Sequence, residues 1–452
     1  MSMESTFTKE IIQDIRDLLE SKQEDKLLER IGPIHAADLA MVVNELSIEE
    51  AKLLFEFVDA VKASEILVNM DEDDRDELVE SFTAHELASY FIENLESDDA
   101  ADVLGVLSDE KTEEVISHLD DVDHASDIVD LLQYKEGTAG SIMAKELVKV
   151  QENWTVSTTV REMRKQAENV ENIYTIYVTD ENDLLLGRLS LRRLLNTAVK
   201  TQISDIYKPG LEVVKTYTDV ETVANKMKKY DFVAMPVVDE IGRLVGRITI
   251  DDVVDVITEE AEKDYQLASG ISQNVDYSDN VWMLTRARLP WLLLGLLGGI
   301  FGAQIIGLYE ADLRLYPEMA FFIPLIAAMG GNVGVQSSAI IVQGLASESF
   351  LSLEIFPKLK KEFMVALVNG LVCSIIILGY NLIFSESMNM SITVSIALLC
   401  VILFAGLFGT FIPLVLNKYK IDPALATGPF ITTVNDILGL LIYFAIGRMM
   451  YA

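Results

Sequence analysis

The chain has 452 residues, half of them hydrophobic, with 71 acidic against 36 basic side chains and a formal charge of −35. That length suits two or three domains, and so acidic a balance excludes nucleic acid and anionic lipid surfaces as partners by simple repulsion. The charge is unevenly placed. Residues 281–452 hold nine acidic and nine basic side chains, whereas residues 1–280 hold 62 acidic and 27 basic ones. A neutral, apolar half joined to an acidic half predicts a membrane protein with a large aqueous domain whose ligand is a cation.

In chain order, the N-terminus from Met1 into Lys9-Glu10-Ile11 lacks a basic stretch followed by an apolar run. No secretory signal is expected there, which places the acidic half in the cytosol. Residues 8–135 read as short amphipathic helices rich in Leu, Val and Ala, separated by acidic turns such as Met70-Asp-Glu-Asp-Asp-Arg-Asp and Ser97-Asp-Asp-Ala-Ala-Asp-Val. Asp98 and Asp102 fall at i and i+4 on one helical face, where like charges cost a few tenths of a kcal/mol that a bound cation would relieve. Helix N-termini favour acids in any case, so a solvated face is the plainer reading for most of these residues.

Two segments then repeat without a gap: Tyr177–Leu195 aligns with Pro236–Val254, matching Asp180 with Asp239, Gly187 with Gly246 and Arg188 with Arg247. Each copy reads as strand, acidic turn, strand, helix. The pair resembles tandem cystathionine-β-synthase (CBS) domains over about residues 142–262. Such pairs often bind adenosine nucleotides through a Thr-x-Asp tail near the ribose, which implies Thr249 and Asp251 here and ATP as a candidate ligand. The first copy has Arg192-Arg193 where the second has Asp251-Asp252, leaving the second copy anionic and better suited to a cation. The densest acidic run follows, from Asp251 through Asp255 and Glu260 to Asp264, and reads as one helix leading through Asn280 to the membrane half. A charged helix joined to the membrane is placed to gate it, so metal sensing is preferred there over a solvated face.

Five apolar stretches reach the roughly 20 residues a helix needs to cross a bilayer, near 289–309, 319–346, 363–384, 393–416 and 425–447. With the N-terminus inside, inward flanks carry seven Lys or Arg residues and outward flanks two, which puts the C-terminus outside. The cysteines, Cys373 and Cys400, lie within apolar runs and read as buried free thiols. Polar residues in the spans carry more information. Gly330 and Gly334 have the small-xxx-small spacing of packed membrane helices, but Asn332 and Gln336 need polar partners or water, and Asn332 is read as lining a cavity. Asp436 is the one acidic residue well inside the predicted spans, where a carboxylate costs roughly 3 kcal/mol on insertion scales. Thr432 shares its helical face, and Thr433 and Asn435 are read as further neutral oxygens. Oxygen donors without Cys or His suit a hydrated divalent ion such as Mg²⁺. An odd number of spans makes a symmetric pore the work of a dimer.

With these residues in place, the whole chain resembles the MgtE family of magnesium channels, most specifically in Gly330-Gly-Asn-Val-Gly-Val-Gln336 and in Asp422-Pro-Ala-Leu through Asn435-Asp436. The resemblance implies a multidomain membrane protein: an all-α acidic N domain (1–137), an α/β tandem CBS pair (138–200 and 201–262), a connecting plug helix (263–284) and a five-helix transmembrane domain (285–452). It implies a homodimer in the cell membrane, not an enzyme, whose pore Asp436 holds hydrated Mg²⁺ with help from the Thr432 carbonyl. It also implies sensor residues Asp98 and Asp102 in the N domain, Asp219, Glu221 and Asp231 in the second CBS copy, and Asp252, Asp255, Glu260 and Asp264 on the CBS–plug segment, which close the pore when cytosolic Mg²⁺ is high. Lys263 stands where a relative carries an acid, and Gly428 where a pore-side Asn is found. The rival reading is a cation-coupled Mg²⁺ exchanger, which needs an intramembrane relay of ionisable groups that one Asp hardly supplies. An ATP-driven importer is opposed by the lack of a Gly-x-x-x-x-Gly-Lys-Ser/Thr loop, and a metal-sensing scaffold without transport by Asp436.

Overall fold

A computed structural model describes residues 3–167, 170, 172–273, 275, 280–346, 355–384, 387–426 and 428–451. Met1 and Ala452, the ends on which the topology expectation turns, lie outside the described residues. The chain divides into two compact units, Met1–Ile257 and Thr258–Ala452.

The first unit opens with ten α-helices: α1 (Met3–Glu20), α2 (Glu24–Ile31), α3 (Ala36–Val43), α4 (Ile48–Phe55), α5 (Ala60–Val68), α6 (Glu72–Ser81), α7 (Ala84–Tyr90), α8 (Ser97–Gly105), α9 (Asp109–Ser117) and α10 (Val122–Leu131). Helices this short are marginal alone, and two devices hold them. Their ends are closed locally, with capping boxes at Ser47/Glu50 and Thr83/Glu86 and the Lys62 ammonium donating to the carbonyls of Ile31, Gly32 and Ile34 beyond α2. Cap residues of this kind are worth about 1 kcal/mol each. Their apolar faces then meet in one core with Leu39, Leu54, Ile66, Leu67, Leu87 and Phe91, all fully buried.

The two sequence copies become two small sheets. In the first, β1 (Val148–Gln151) runs parallel to β2 (Ile176–Thr179), which pairs antiparallel with β3 (Leu185–Leu189), and β4 (Lys208–Pro209) closes the edge. In the second, β5 (Val214–Lys215) runs parallel to β6 (Ala234–Val238), which pairs antiparallel with β7 (Leu244–Thr249). The register repeats residue for residue: Tyr177 faces Arg188 and Val178 faces Gly187 as Pro236 faces Arg247 and Val237 faces Gly246. Asp180 and Asp239 close equivalent turns, their Oδ1 atoms accepting from the amides of Asn182 and Leu184 and of Ile241 and Arg243. The repeated glycine has one cause in both copies. A Cβ at Gly187 would lie 2.3 Å from Lys208 O, and one at Gly246 2.9 Å from Ala144 O, so each lets a neighbouring backbone cross the strand. Helices α11 (Val156–Gln166), α12 (Leu191–Leu195) and α13 (Val220–Tyr230) complete the pair.

α14 (Ile250–Ala268) carries the acidic run as a single helix, as expected. It does not continue to the membrane half: Gly270 takes φ +81° just beyond it, and a separate helix begins after Asn280, whose side chain accepts from the amides of Trp282 and Met283. The second unit then holds α15 (Val281–Leu308), the short α16 (Glu310–Leu315), α17 (Ile323–Ala346), α18 (Ile355–Phe384), α19 (Met388–Lys418) and α20 (Gly428–Tyr451). Among the described residues, five helical segments are long and apolar enough to cross a membrane. α19 is the hub, packing on α17, α18 and α20, with Val394, Ala397, Val401, Ile402 and Ala405 buried along it.

Candidate cation sites

The acidic site of the first unit is built at the start of α8. Ser97 is fully buried, and its amide and hydroxyl donate to the two oxygens of Glu146 at 3.1 and 2.8 Å. That bidentate hold draws Glu146, from the segment before β1, against Asp98, which is 7 % exposed. Glu96, Asp98 and Glu146 thereby each present one oxygen within 4.8 Å of the others. Burial pushes the Asp98 carboxyl well above its ordinary value, and the charges of Asp99, Asp252, Glu96 and Glu146 push the same way. Asp99 is raised to about 7, chiefly by burial and then by Asp252 and Asp102. Asp252 is also raised by burial, opposed by its bonds from the Thr249 hydroxyl and amide at 2.7 and 2.9 Å. Asp98 and Asp252, chosen from sequence in different domains, therefore meet in one crowded cluster, with Asp102 at its margin. A set of hard carboxylate oxygens around the buried Asp98 fits Mg²⁺ or Ca²⁺ and does not fit a soft metal.

Three members of this cluster were not among the sequence candidates. Asp99 adjoins Asp98 and was visible as part of an acidic run. Glu96 and Glu146 carry no local signal, because only the fold brings Glu146 to Ser97, 49 positions earlier, and so to its neighbour Glu96. Arg247 is the fourth participant: 3 % exposed, it donates from one terminal nitrogen to both Glu96 oxygens at 2.8 and 2.9 Å and from the other to Asn172 O at 3.1 Å, and its guanidinium lies 5.4 Å from the Tyr174 ring centroid.

The remaining sensor candidates are spread out. Asp219 caps α13, accepting from the Glu221 amide at 3.1 Å, while Asp231 ends the same helix in a left-handed conformation. Eleven residues of helix separate the two ends by about 16 Å, so Asp231 is not brought to Asp219 and Glu221 within the chain. On α14, Asp255 is exposed, one turn from Asp251. Glu260 pairs with Lys263 at 3.0 Å. Asp264 is raised by burial and then by Asp422 and Glu260, so Asp422, on the loop before α20, joins the acidic set at this end. There α14 docks tightly: a Cβ at Gly428 would lie 2.3 Å from Ala268 O, and one at Gly270 2.6 Å from Pro429.

A cleft of about 440 Å³ lies in the CBS pair, lined among others by Tyr174, Arg188, Arg192, Arg193 and Lys208. Thr249 and Asp251, the residues expected to meet a nucleotide, do not line this cleft. The Thr249 hydroxyl is committed to Asp252, and the basic wall belongs to the first copy, where Arg192-Arg193 replace the acidic pair.

In the second unit Asp436 is half-buried on α20. A Cβ at Gly331 would sit 3.4 Å from Asp436 Oδ1 and 3.0 Å from Thr432 Cγ2, so Asp436 and Thr432 share a face turned to the glycines of α17. The Thr432 hydroxyl donates to Gly428 O at 3.0 Å. Asn332 is exposed on α17. The expectation of further neutral oxygens at Thr433 and Asn435 is corrected. Successive helical residues turn by about 100°, which sends Thr433 against Gly298 of α15 and Asn435 against Gly334 of α17. Glu362, one residue before the third predicted span, lies within α18 and accepts from the Ser337 hydroxyl at 2.6 Å. Beside Lys360 and Lys361 it reads as part of a charged flank.

Comparison with known families covers both halves of the chain. The sequence profile of MgtE, described as a divalent cation transporter, matches residues 323–446, that of the MgtE intracellular N domain residues 34–137, and that of the CBS domain residues 139–200 and 203–259. The magnesium transporter MgtE of Thermus thermophilus is 32% identical over 443 residues, covering 96% of this chain and 97% of that one. The chain belongs to the MgtE family. The magnesium transporters MgtE of Enterococcus faecalis and Bacillus subtilis are 36% and 35% identical, over 72% and 70% of both chains. Among solved structures, the cytosolic domain of the Mg²⁺ channel MgtE in complex with ATP covers 54% of this chain and 99% of its own, with TM-score 0.51 and 35% identity. The soluble part of a magnesium transporter covers 56% and 99%, with TM-score 0.50 and 28% identity. Within this family the Gly428 departure acquires a local reason, since the contact with Ala268 O leaves no room for a side chain.

Proposed function

We propose that this MgtE-family protein carries Mg²⁺ across the cell membrane through a homodimeric, passive channel, and that its cytosolic acidic sites sense Mg²⁺ and close it. Asp436 carries the transport part of this reading. It is a carboxylate in an apolar helix, faced by Gly331 and accompanied by Thr432, and two copies across a twofold axis would present two carboxylates to an ion that keeps most of its waters. The named relatives, described as magnesium transporters, support the choice of ion.

The gating part rests on the crowding around Asp98. When bound, Mg²⁺ would supply the positive charge that Glu96, Asp98 and Glu146 lack. Without it, these carboxylates and Asp252 repel across the meeting of the N domain with the second CBS copy, favouring the separated arrangement. α14 carries Asp252 at one end, and its other end docks on the start of α20, whose third turn holds Asp436. We place the sensor at Asp98, Asp102, Asp252 and Asp255, with Glu260 and Asp264 at the α20 end and Asp219, Glu221 and Asp231 at separate positions on the second CBS copy. The N-terminus is read as cytosolic and the C-terminus as outside. An adenine nucleotide is read into the basic cleft of the first copy, a reading supported by the ATP complex of the related cytosolic domain.

Asp436→Asn tests the reading. The purified variant should remain folded in proteoliposomes yet lose Mg²⁺ uptake by more than about tenfold, as expected when a membrane-embedded ligand charge is removed. Near-parental uptake would refute the pore assignment.

A further inference from the structure

We propose that Arg247 is a cation built into the sensor, holding Glu96 in the metal-free protein and yielding that carboxylate as Mg²⁺ enters, so that it sets the Mg²⁺ concentration at which the site fills. The inference rests on the sensor reading above and adds a residue to it.

The geometry separates what Arg247 needs from what it lends. Its guanidinium is anchored within the CBS pair by Asn172 O and by the Tyr174 ring. Those contacts remain if Glu96 turns away, so the Glu96 bond is the exchangeable one. Glu96 in turn belongs to the carboxylate triad with Asp98 and Glu146. A metal centred on that triad and the guanidinium on Glu96 want the same oxygens.

The repeat sharpens the point. Arg188, the counterpart of Arg247, is exposed and lines the basic cleft, so the CBS fold does not itself require a buried arginine at this strand position. What distinguishes the second copy is the N-domain acid packed against it. An arginine is suited to this task because it cannot lose its charge. A lysine would keep the charge without the planar fork.

The test is amide hydrogen exchange in α8 of the full-length protein in detergent, titrated with MgCl₂ at constant ionic strength. The parent should gain protection as Mg²⁺ rises. Arg247→Gln, which removes the competing charge, should lower the midpoint by about fivefold or more. Arg247→Lys, which keeps the charge but not the fork, should stay within about twofold of the parent. An Arg247→Gln midpoint that is unchanged or raised overturns the proposal. If that variant does not fold, Arg247→Lys decides alone, because a merely structural tie predicts that losing the fork raises its midpoint several-fold. A parent with no Mg²⁺ response would take the sensor reading down as well, whereas a responsive parent with the wrong variant shift overturns only the role of Arg247.

Discussion

At Gly428 the backbone takes φ +47°, and Ala268 O stands where a Cβ would go. A side chain there meets left-handed strain of about 1–2 kcal/mol and a backbone contact that must open. Gly428→Ala should therefore lower the thermal midpoint of the full-length protein and raise proteolysis near residues 268–273, and a variant as resistant as the parent would show the docking to be slack. The shared face of Asp436 and Thr432 was legible in sequence because i, i+4 spacing fixes it. Glu96, Glu146 and Arg247 were not legible. Arg247 reaches Glu96 across 151 positions, and nothing in either segment alone marks the meeting. Thr433 and Asn435 were misassigned because proximity in sequence was taken for proximity on the helix.

Among the elements, α8 couples charge to stability. In the metal-free protein Asp99 is raised from its ordinary 3.8 to about 7, so between these values the folded state holds a proton that the unfolded chain releases. Its contribution is fully favourable below about pH 4 and is lost as pH rises through about 7. Asp99→Asn removes the ionising group. In EDTA it should raise the melting temperature by a few degrees at pH 8 and by clearly less at pH 5. An equal effect at both pH values would mean that the carboxyl is not crowded. The CBS elements were legible to the residue, since the ungapped repeat reappears as matching strand registers. α14 was legible as a helix, but its end was not: Gly270 stops it where the acidic pattern alone suggested continuation.

For the whole molecule, the uneven charge of the sequence was the strongest guide. It separated a half able to bury itself in lipid from a half that repels itself in water, and the five spans followed from length and apolarity. How those helices pack on α19 was not legible, because uniformly apolar helices carry no face to read. The proposed topology rests on the placement of Lys and Arg. A reporter active only in the cytosol should be bright when fused before Met1 and silent after Ala452, and the opposite pattern would reverse the orientation. The central claim, a passive Mg²⁺ pathway closed by cytosolic Mg²⁺, is tested most directly by recording currents from excised membrane patches while cytosolic-side Mg²⁺ is raised from the micromolar to the millimolar range. Mg²⁺ current should fall as that concentration rises, and combining Asp98→Asn with Asp252→Asn should leave the pathway open at the high end. A flux indifferent to cytosolic Mg²⁺ and dependent on a counter-ion gradient would contradict the account in favour of an exchanger.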